Sequence, residues 1–230
     1  MYRAGSFAAA VLIVLASLGI VRSQQALQAA NPVHGKPRIE DARVKRLYEA
    51  MSARIAVSTN RRTGRTIPAS HCRHAVGGCE ERLARFAHYL VDAGRVHGID
   101  PWLMAAMALK ESGLNPFAMG AVGELDILQI NPGRRDAKTV RFIQDEWYRK
   151  RCRKEPGNCQ REIVEHAAHV LSRSLELCGG DVSKALGAYN TGKCGGNRRY
   201  SDRVLLEVED LRKTVGEAAP KPGQLQARSS

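Results

Sequence analysis

The chain is 230 residues long, 43% hydrophobic and 26% charged, with 36 Lys and Arg against 23 Asp and Glu for a formal net charge of +13. That length holds one good-sized domain with appendages. Beyond the first residues no apolar run is long enough to span a bilayer, which excludes a polytopic membrane protein, and the positive charge points either to a polyanionic partner or to a solvated basic surface.

Residues 1–23 open with a basic Arg3, continue as an apolar run over 7–21, and end on the small Val21 and Ser23 at the spacing of a signal-peptidase site. This pattern predicts a secretory signal peptide. The run falls short of the roughly 20 residues that a transmembrane helix needs, and an uncleaved anchor is the alternative. Residues 24–39 lack periodicity and carry Pro32 and Pro37, so they read as a linker. An N-terminal helical extension is expected over 40–79. Val44, Leu47, Tyr48, Met51 and Ile55 recur there at helical spacing, and a polar, breaker-rich loop follows over 58–68.

Residues 80–97 are amphipathic, with Leu83, Phe86, Ala87, Leu90 and Val91 on one side and Gly98 at the end. Asp100 then supplies an N-cap and Pro101 the first helical position. From Trp102 to Leu109 every residue is apolar, the mark of a helix buried all round. It closes in Lys110, Glu111 and Ser112 before Gly113. Residues 139–150 read as one helix through Val140, Ile143 and Trp147, followed by a basic loop over 149–160. The strongest amphipathic pattern is 162–177, stopped by Gly179 and Gly180. Asp181 caps a short helix to Asn190, a last helix covers 200–215, and 216–230 is a polar tail expected to be disordered. No stretch alternates with period 2, and 125–130 is apolar enough for one short strand only. The fold class is therefore mainly α.

Six cysteines suit an exported chain. Cys72 and Cys79 share their spacing with Cys152 and Cys159, and Cys178 and Cys194 flank a helix-like segment. Three local bridges in that order are expected, although spacing alone leaves other connectivities open. The rival for the first pair is a metal site from His71, Cys72, His74 and Cys79, which lacks the paired Cys-x-x-Cys spacing of zinc sites. No metal and no cofactor are expected, and there is no Gly-rich phosphate loop or His-Glu-x-x-His motif. An exported chain rarely meets nucleic acid, so the expected polyanion is acidic cell-wall polymer, bound by a monomer.

Glu111 is the leading catalytic candidate. It stands at the C-terminal end of a helix, where the macrodipole disfavours negative charge. Its neighbours Met107, Ala108, Leu114 and Phe117 are apolar, so desolvation acts the same way. A carboxylic acid that keeps its proton near neutral pH is what glycosidic cleavage needs as a general acid. Taken alone, Glu111 reads more readily as an ordinary surface residue of a last helical turn.

The residues around it carry a resemblance. Glu111, Ser112, Gly113, Leu114, Asn115 and Pro116 with Ala118, then Gly120 and Ala121, then Leu128, Gln129, Ile130, Asn131 and Pro132, then Ala188, Tyr189 and Asn190 with Gly192, resemble the lytic transglycosylases with the goose-lysozyme-like SLT domain. The four pieces stand in the family's order. The resemblance implies a lysozyme-like helical domain over 80–215 acting on peptidoglycan glycan strands, with a Gly-rich loop after the catalytic helix. Glu111 is then the single acid, cleaving the bond between N-acetylmuramic acid and N-acetylglucosamine and leaving a 1,6-anhydro end. Ser112, Gln129, Tyr189 and Asn190 match residues that orient the acid or contact substrate. The plain alternatives are helix punctuation for Ser112, a satisfied core amide for Gln129 and a core phenol for Tyr189. Tyr200 and Val204 resemble a later helix that closes the cleft. Enzymes of this kind serve wall remodelling, secretion or pilus machines, and lysis, so the expected location is the periplasm or cell envelope.

Two departures stand out. Where the family reads Gly-Leu-Met-Gln, this chain has Asp126, Ile127, Leu128 and Gln129, and Glu124 and Leu125 lengthen the loop. Glu124 and Asp126 are therefore expected as accessory carboxylates that position water, which makes a hydrolytic muramidase the alternative activity; a capping or solvated loop role is the plainer reading. A third alternative, a non-catalytic wall-binding or secretion-scaffold protein, gives no reason to retain Glu111, Gln129 and Tyr189 together.

Overall fold

The computed structural model describes residues 41–55, 58–59, 66–67, 69–72, 78–154 and 159–218. The expected signal peptide, the linker, His74 and the tail from 219 onward lie outside the described residues. The rest is mainly α, in eight helices: α1 (Ala42–Ile55), α2 (Gly78–His97), α3 (Pro101–Ser112), α4 (Arg141–Gln144), α5 (Glu146–Lys154), α6 (Cys159–Leu177), α7 (Val182–Thr191) and α8 (Arg198–Thr214). None of the described helices is long and apolar enough to cross a membrane. The sulfurs of Cys72 and Cys79, of Cys152 and Cys159, and of Cys178 and Cys194 are paired as disulfides.

Helix α3 is the axle. Trp102 to Ala108 are all buried, and α1, α2 and α8 pack around the helix. Each fully buried Leu or Met side chain contributes about 2 kcal/mol, so a rod of this composition has no stable place except the core. Both ends are closed as the residue types dictate. Asp100 accepts the N–H of Trp102 at 2.9 Å, and Gly113 takes the left-handed conformation (φ 61°) and donates to Leu109 O at 2.9 Å.

The N-cap also carries an ion pair. Asp100 is 6% exposed, and its Oδ2 receives Arg212 Nη2 from α8 at 2.7 Å. Burial pushes the Asp100 carboxyl up, and the Arg212 charge opposes that shift. Arg212 lies 5.2 Å over the Trp102 ring and also binds Glu217 at 3.1 Å, which in turn binds Arg46 of α1 at 3.0 Å. One buried carboxylate thus joins the start of α3 to α8 and α1.

Three expectations are corrected. The loop over 58–68 contains two-residue strands, Ser58–Thr59 and Thr66–Ile67, paired antiparallel with Ser58 opposite Ile67; so short a pair leaves no alternation to read. The strand expected at 125–130 does not form. Leu125 makes only isolated bridges to Met119 and Ile130, because Asp126 and Gln129 turn the backbone with φ of 68° and 48°. The single helix expected over 139–150 is a 3-10 turn (Asp136–Thr139), α4 and α5. It breaks at Asp145, whose extended backbone ends α4 and whose Oδ1 accepts the Tyr148 N–H at 2.8 Å, capping α5. Glu162 of α6 caps α4 from outside through Arg141 N at 2.7 Å and Phe142 N at 3.3 Å. Val140 and Ile143 are buried as expected and Phe142 joins them, whereas Trp147 is 84% exposed.

Removing one partner of a buried ion pair leaves the other charge desolvated and costs about 3 kcal/mol. Asp100→Ala is expected to lower unfolding stability by about that amount, checked by urea denaturation; a loss below about 1 kcal/mol would show that the pair behaves as a surface bridge.

Candidate active site

The C-terminal end of α3 opens into a cleft of about 470 Å³ lined by Glu111, by Gly120, Ala121, Glu124 and Gln129 to Asn131 of the following loop, by Arg134, by Val170 of α6 and by the chain from Tyr189 to Gly192 at the end of α7. The volume is in the range of a small-ligand site. Its far wall is formed by α7, which Asp181 caps by accepting the Lys184 N–H at 2.9 Å.

The loop is strained, and the strain is local to the cleft. Among the described residues, four non-glycine residues have positive φ: Leu114, Asp126, Gln129 and Asn197. Three lie on the segment leaving α3. The fourth caps α8 through Tyr200 N and donates from Nδ2 to Asn190 Oδ1 at 2.7 Å. A left-handed residue costs roughly 1–2 kcal/mol. Leu114 is wholly buried, and a buried Leu contributes about 2 kcal/mol, enough to hold it there. Asp126 N donates to Ala118 O at 3.1 Å, and Asp126 O accepts Gln129 Nε2 at 2.8 Å. Gln129 is therefore folded back on its own loop, with Oε1 over Gly120. A Cβ at Gly120 would lie 2.8 Å from that oxygen and closer still to the Glu124 carboxyl, so a larger residue there would displace the ends of both side chains.

Two further ties fix the loop. Ser112 Oγ contacts Ala108 O at 3.1 Å and Ile127 O at 2.9 Å, and accepts the Asn115 N–H at 3.2 Å. With one hydroxyl proton it donates to one carbonyl at a time, joining the helix end to the loop. Tyr189 is buried and donates from its hydroxyl to Leu128 O at 2.9 Å.

Glu111 is only partly exposed. Burial pushes its carboxyl pKa up, the Tyr200 phenol pulls it back down, and the Glu124 carboxylate pushes it up further. The Tyr200 hydroxyl is buried and faces Glu111 without completing a hydrogen bond of good geometry to any described residue. Burial raises the pKa values of both Tyr189 and Tyr200, and the Glu111 charge adds to each. The site is thus a carboxyl whose pKa is raised in a partly desolvated position, with two phenols and the Glu124 carboxyl beside it.

Of the residues singled out from the sequence, Glu111, Gln129, Tyr189, Asn190 and Glu124 meet at the cleft. Ser112 does not line it and has the positioning role just described. Asp126 is a correction. It is fully buried and is not among the residues lining the cleft, and its Oδ1 accepts the Ile127 N–H at 2.6 Å, so it presents no exposed carboxylate to hold water there. Its charge faces Arg82 of α2, itself only 2% exposed. Arg82 donates to His71 O at 2.9 Å and lies 5.1 Å over the Phe117 ring. This gives the N-terminal extension a place in the site: the turn at His71, held to α2 by Cys72–Cys79, supports the loop from beneath through Arg82.

Sequence reasoning missed Arg134, and took Tyr200 as a cleft-closing residue without its contact to Glu111. The available signal for Arg134 was its position just after the Asn131, Pro132 and Gly133 turn. For Tyr200 it was the cap at Asn197 that starts α8.

The transglycosylase SLT domain model matches residues 89–203, half of the 230 residues, and the matched span carries every cleft residue named above together with Tyr200. The chain belongs to the transglycosylase SLT-domain family, and its mainly helical architecture with three disulfides agrees with the lysozyme-like domain expected of that family.

A general acid works only while protonated, so a role of Glu111 as the acid predicts a rate that falls as pH rises through its pKa. Glu124→Gln removes a charge that raises this pKa and is expected to move the alkaline limb of kcat/KM to lower pH. Tyr200→Phe removes an interaction that lowers it and is expected to move the limb to higher pH. A pH–rate profile of both variants in which the limbs do not move, or move the same way, contradicts this electrostatic assignment.

Proposed function

We propose that the protein is a peptidoglycan lytic transglycosylase in which Glu111 serves first as acid and then as base. The observation that carries this reading is the desolvated Glu111 carboxyl, with its raised pKa, facing a cleft built from the family's own motif residues. Protonated Glu111 gives its proton to the oxygen linking N-acetylmuramic acid to N-acetylglucosamine as the C1–O bond breaks. The muramic acetamido group assists in place of a protein nucleophile. Ionised Glu111 then takes the proton from the muramic C6 hydroxyl as O6 bonds to C1, closing the 1,6-anhydro ring. Each proton leaving Glu111 is returned, and no water is consumed.

Gln129 and Asn190 line the path of the glycan, and Tyr200 beside Glu111 offers a hydroxyl to the carboxyl or to the sugar. The wall substrate implies export to the envelope, which the leader pattern at 1–23 and three disulfides support.

One observation favours a second reading. Glu124 stands in the cleft within electrostatic range of Glu111, where a carboxylate can activate water, and the product would then be a reducing end rather than an anhydro end. Asp126 has no part in it.

Digestion of purified sacculi followed by mass spectrometry tests both readings. Anhydro-muropeptides from the wild type, and a loss of about 10²-fold or more in Glu111→Gln, are expected. Reducing ends that disappear in Glu124→Gln would establish the muramidase instead, and equal release by wild type and Glu111→Gln would remove Glu111 from catalysis.

A further inference from the structure

Among the residues lining the cleft one is a cation. Arg134 lines a site that otherwise carries two carboxyl groups, those of Glu111 and Glu124. It is held from behind by Asp136, which accepts Nε at 3.1 Å and Nη2 at 3.0 Å. A two-point fork of this kind fixes the plane of a guanidinium as well as its position. Asp136 in turn faces His166 of α6, so the pair is backed by a helix. The side chain of Arg134 is 34% exposed, and its Nη1 edge makes no hydrogen bond among the described residues.

Two ordinary roles do not account for this arrangement. As a stabilising surface pair, Arg134 and Asp136 contribute about 0–1 kcal/mol, and that contribution requires no place in a cleft. As a group that tunes the acid, Arg134 stands wrongly. The influences on Glu111 are burial, Tyr200 and Glu124, whereas Arg134 acts on Tyr189. A guanidinium fixed on one edge and unbonded on another, on a residue that lines a ligand cleft, matches an acceptor supplied by the ligand, and the acceptor it fits best is a carboxylate.

We infer that Arg134 is a specificity-determining residue that seats a carboxylate of the bound glycan against its Nη1 edge. The inference rests on the peptidoglycan reading above. Peptidoglycan strands carry such groups in two places: on the stem peptide, and on the muramic lactyl group once the peptide has been removed. The shared chemistry is an acidic substituent on a neutral sugar chain, which a chitooligosaccharide lacks.

The test is equilibrium binding by titration calorimetry, in a Glu111→Gln background so that bound glycan is not consumed. Three ligands are compared: peptide-bearing glycan, peptide-stripped glycan and a chitooligosaccharide. Arg134→Gln is expected to weaken binding of a carboxylate-bearing glycan tenfold or more and to leave the chitooligosaccharide within twofold, which also reports an intact cleft. Arg134→Lys, which keeps the charge but not the fork, is expected to fall between. A loss confined to the peptide-bearing glycan assigns the peptide carboxylate, and a loss confined to the stripped glycan assigns the lactyl group. Equal weakening for all three ligands, or none for any, overturns the inference, as does a parent protein that binds none of them. Binding that follows the expected pattern, with no cleavage of sacculi by the wild type, would leave Arg134 as a reader of carboxylates and sink the transglycosylase reading alone.

Discussion

Desolvation of the Glu111 carboxyl is the largest influence on that group, and it is produced by the way α3 is set into the molecule. Seven consecutive residues of the helix are buried, so its last turn emerges from the core with one wall of apolar packing and one of cleft. The helix C-terminus adds the negative end of the macrodipole to the same position. A carboxylate there is disfavoured on two counts, and both raise the pKa of the Glu111 carboxyl. The closure of the other end by Asp100 and Arg212 matters for this reason: it fixes where the rod stops, and therefore where the acid projects.

The second requirement is a loop that crosses in front of the acid without following regular secondary structure. Leu114, Asp126 and Gln129 take left-handed backbone, which Asp tolerates better than most residues and Leu and Gln do not favour. The surrounding contacts impose it. Ser112 ties the loop to the helix it leaves, Tyr189 ties it to α7, and the buried Asp126 ties it through Arg82 to the turn at His71. Strain held in place by several independent contacts is characteristic of functional sites. The N-terminal extension thereby acts on the same loop as α3.

Much of this was legible in the sequence where the signal is local. Asp100, Pro101, an unbroken apolar run and Gly113 specify a buried helix with both ends marked, and the structure has it. The motif residues Glu111, Gln129, Tyr189 and Asn190 do converge on one cleft. The rest depends on facts that no local pattern encodes. Asp126 reads as an acid beside the cleft because its neighbours in sequence are there, yet left-handed backbone turns its side chain inward to a partner 44 positions earlier, Arg82. Arg134 became visible only once the chain after Pro132 was seen to line the cleft. The break at Asp145 depends on a side-chain cap and on Glu162 from another helix, and apolar spacing registers neither.

The central claim is that Glu111 holds a proton at pH values where an ordinary glutamate has lost it. The direct measurement is a 13C NMR titration of the glutamate carboxyl carbons in the wild-type protein, with the Glu111 resonance assigned by its absence in Glu111→Gln. The account predicts that Glu111 titrates above the usual glutamate value of about 4.3. A Glu111 resonance that titrates at or below that value would contradict it.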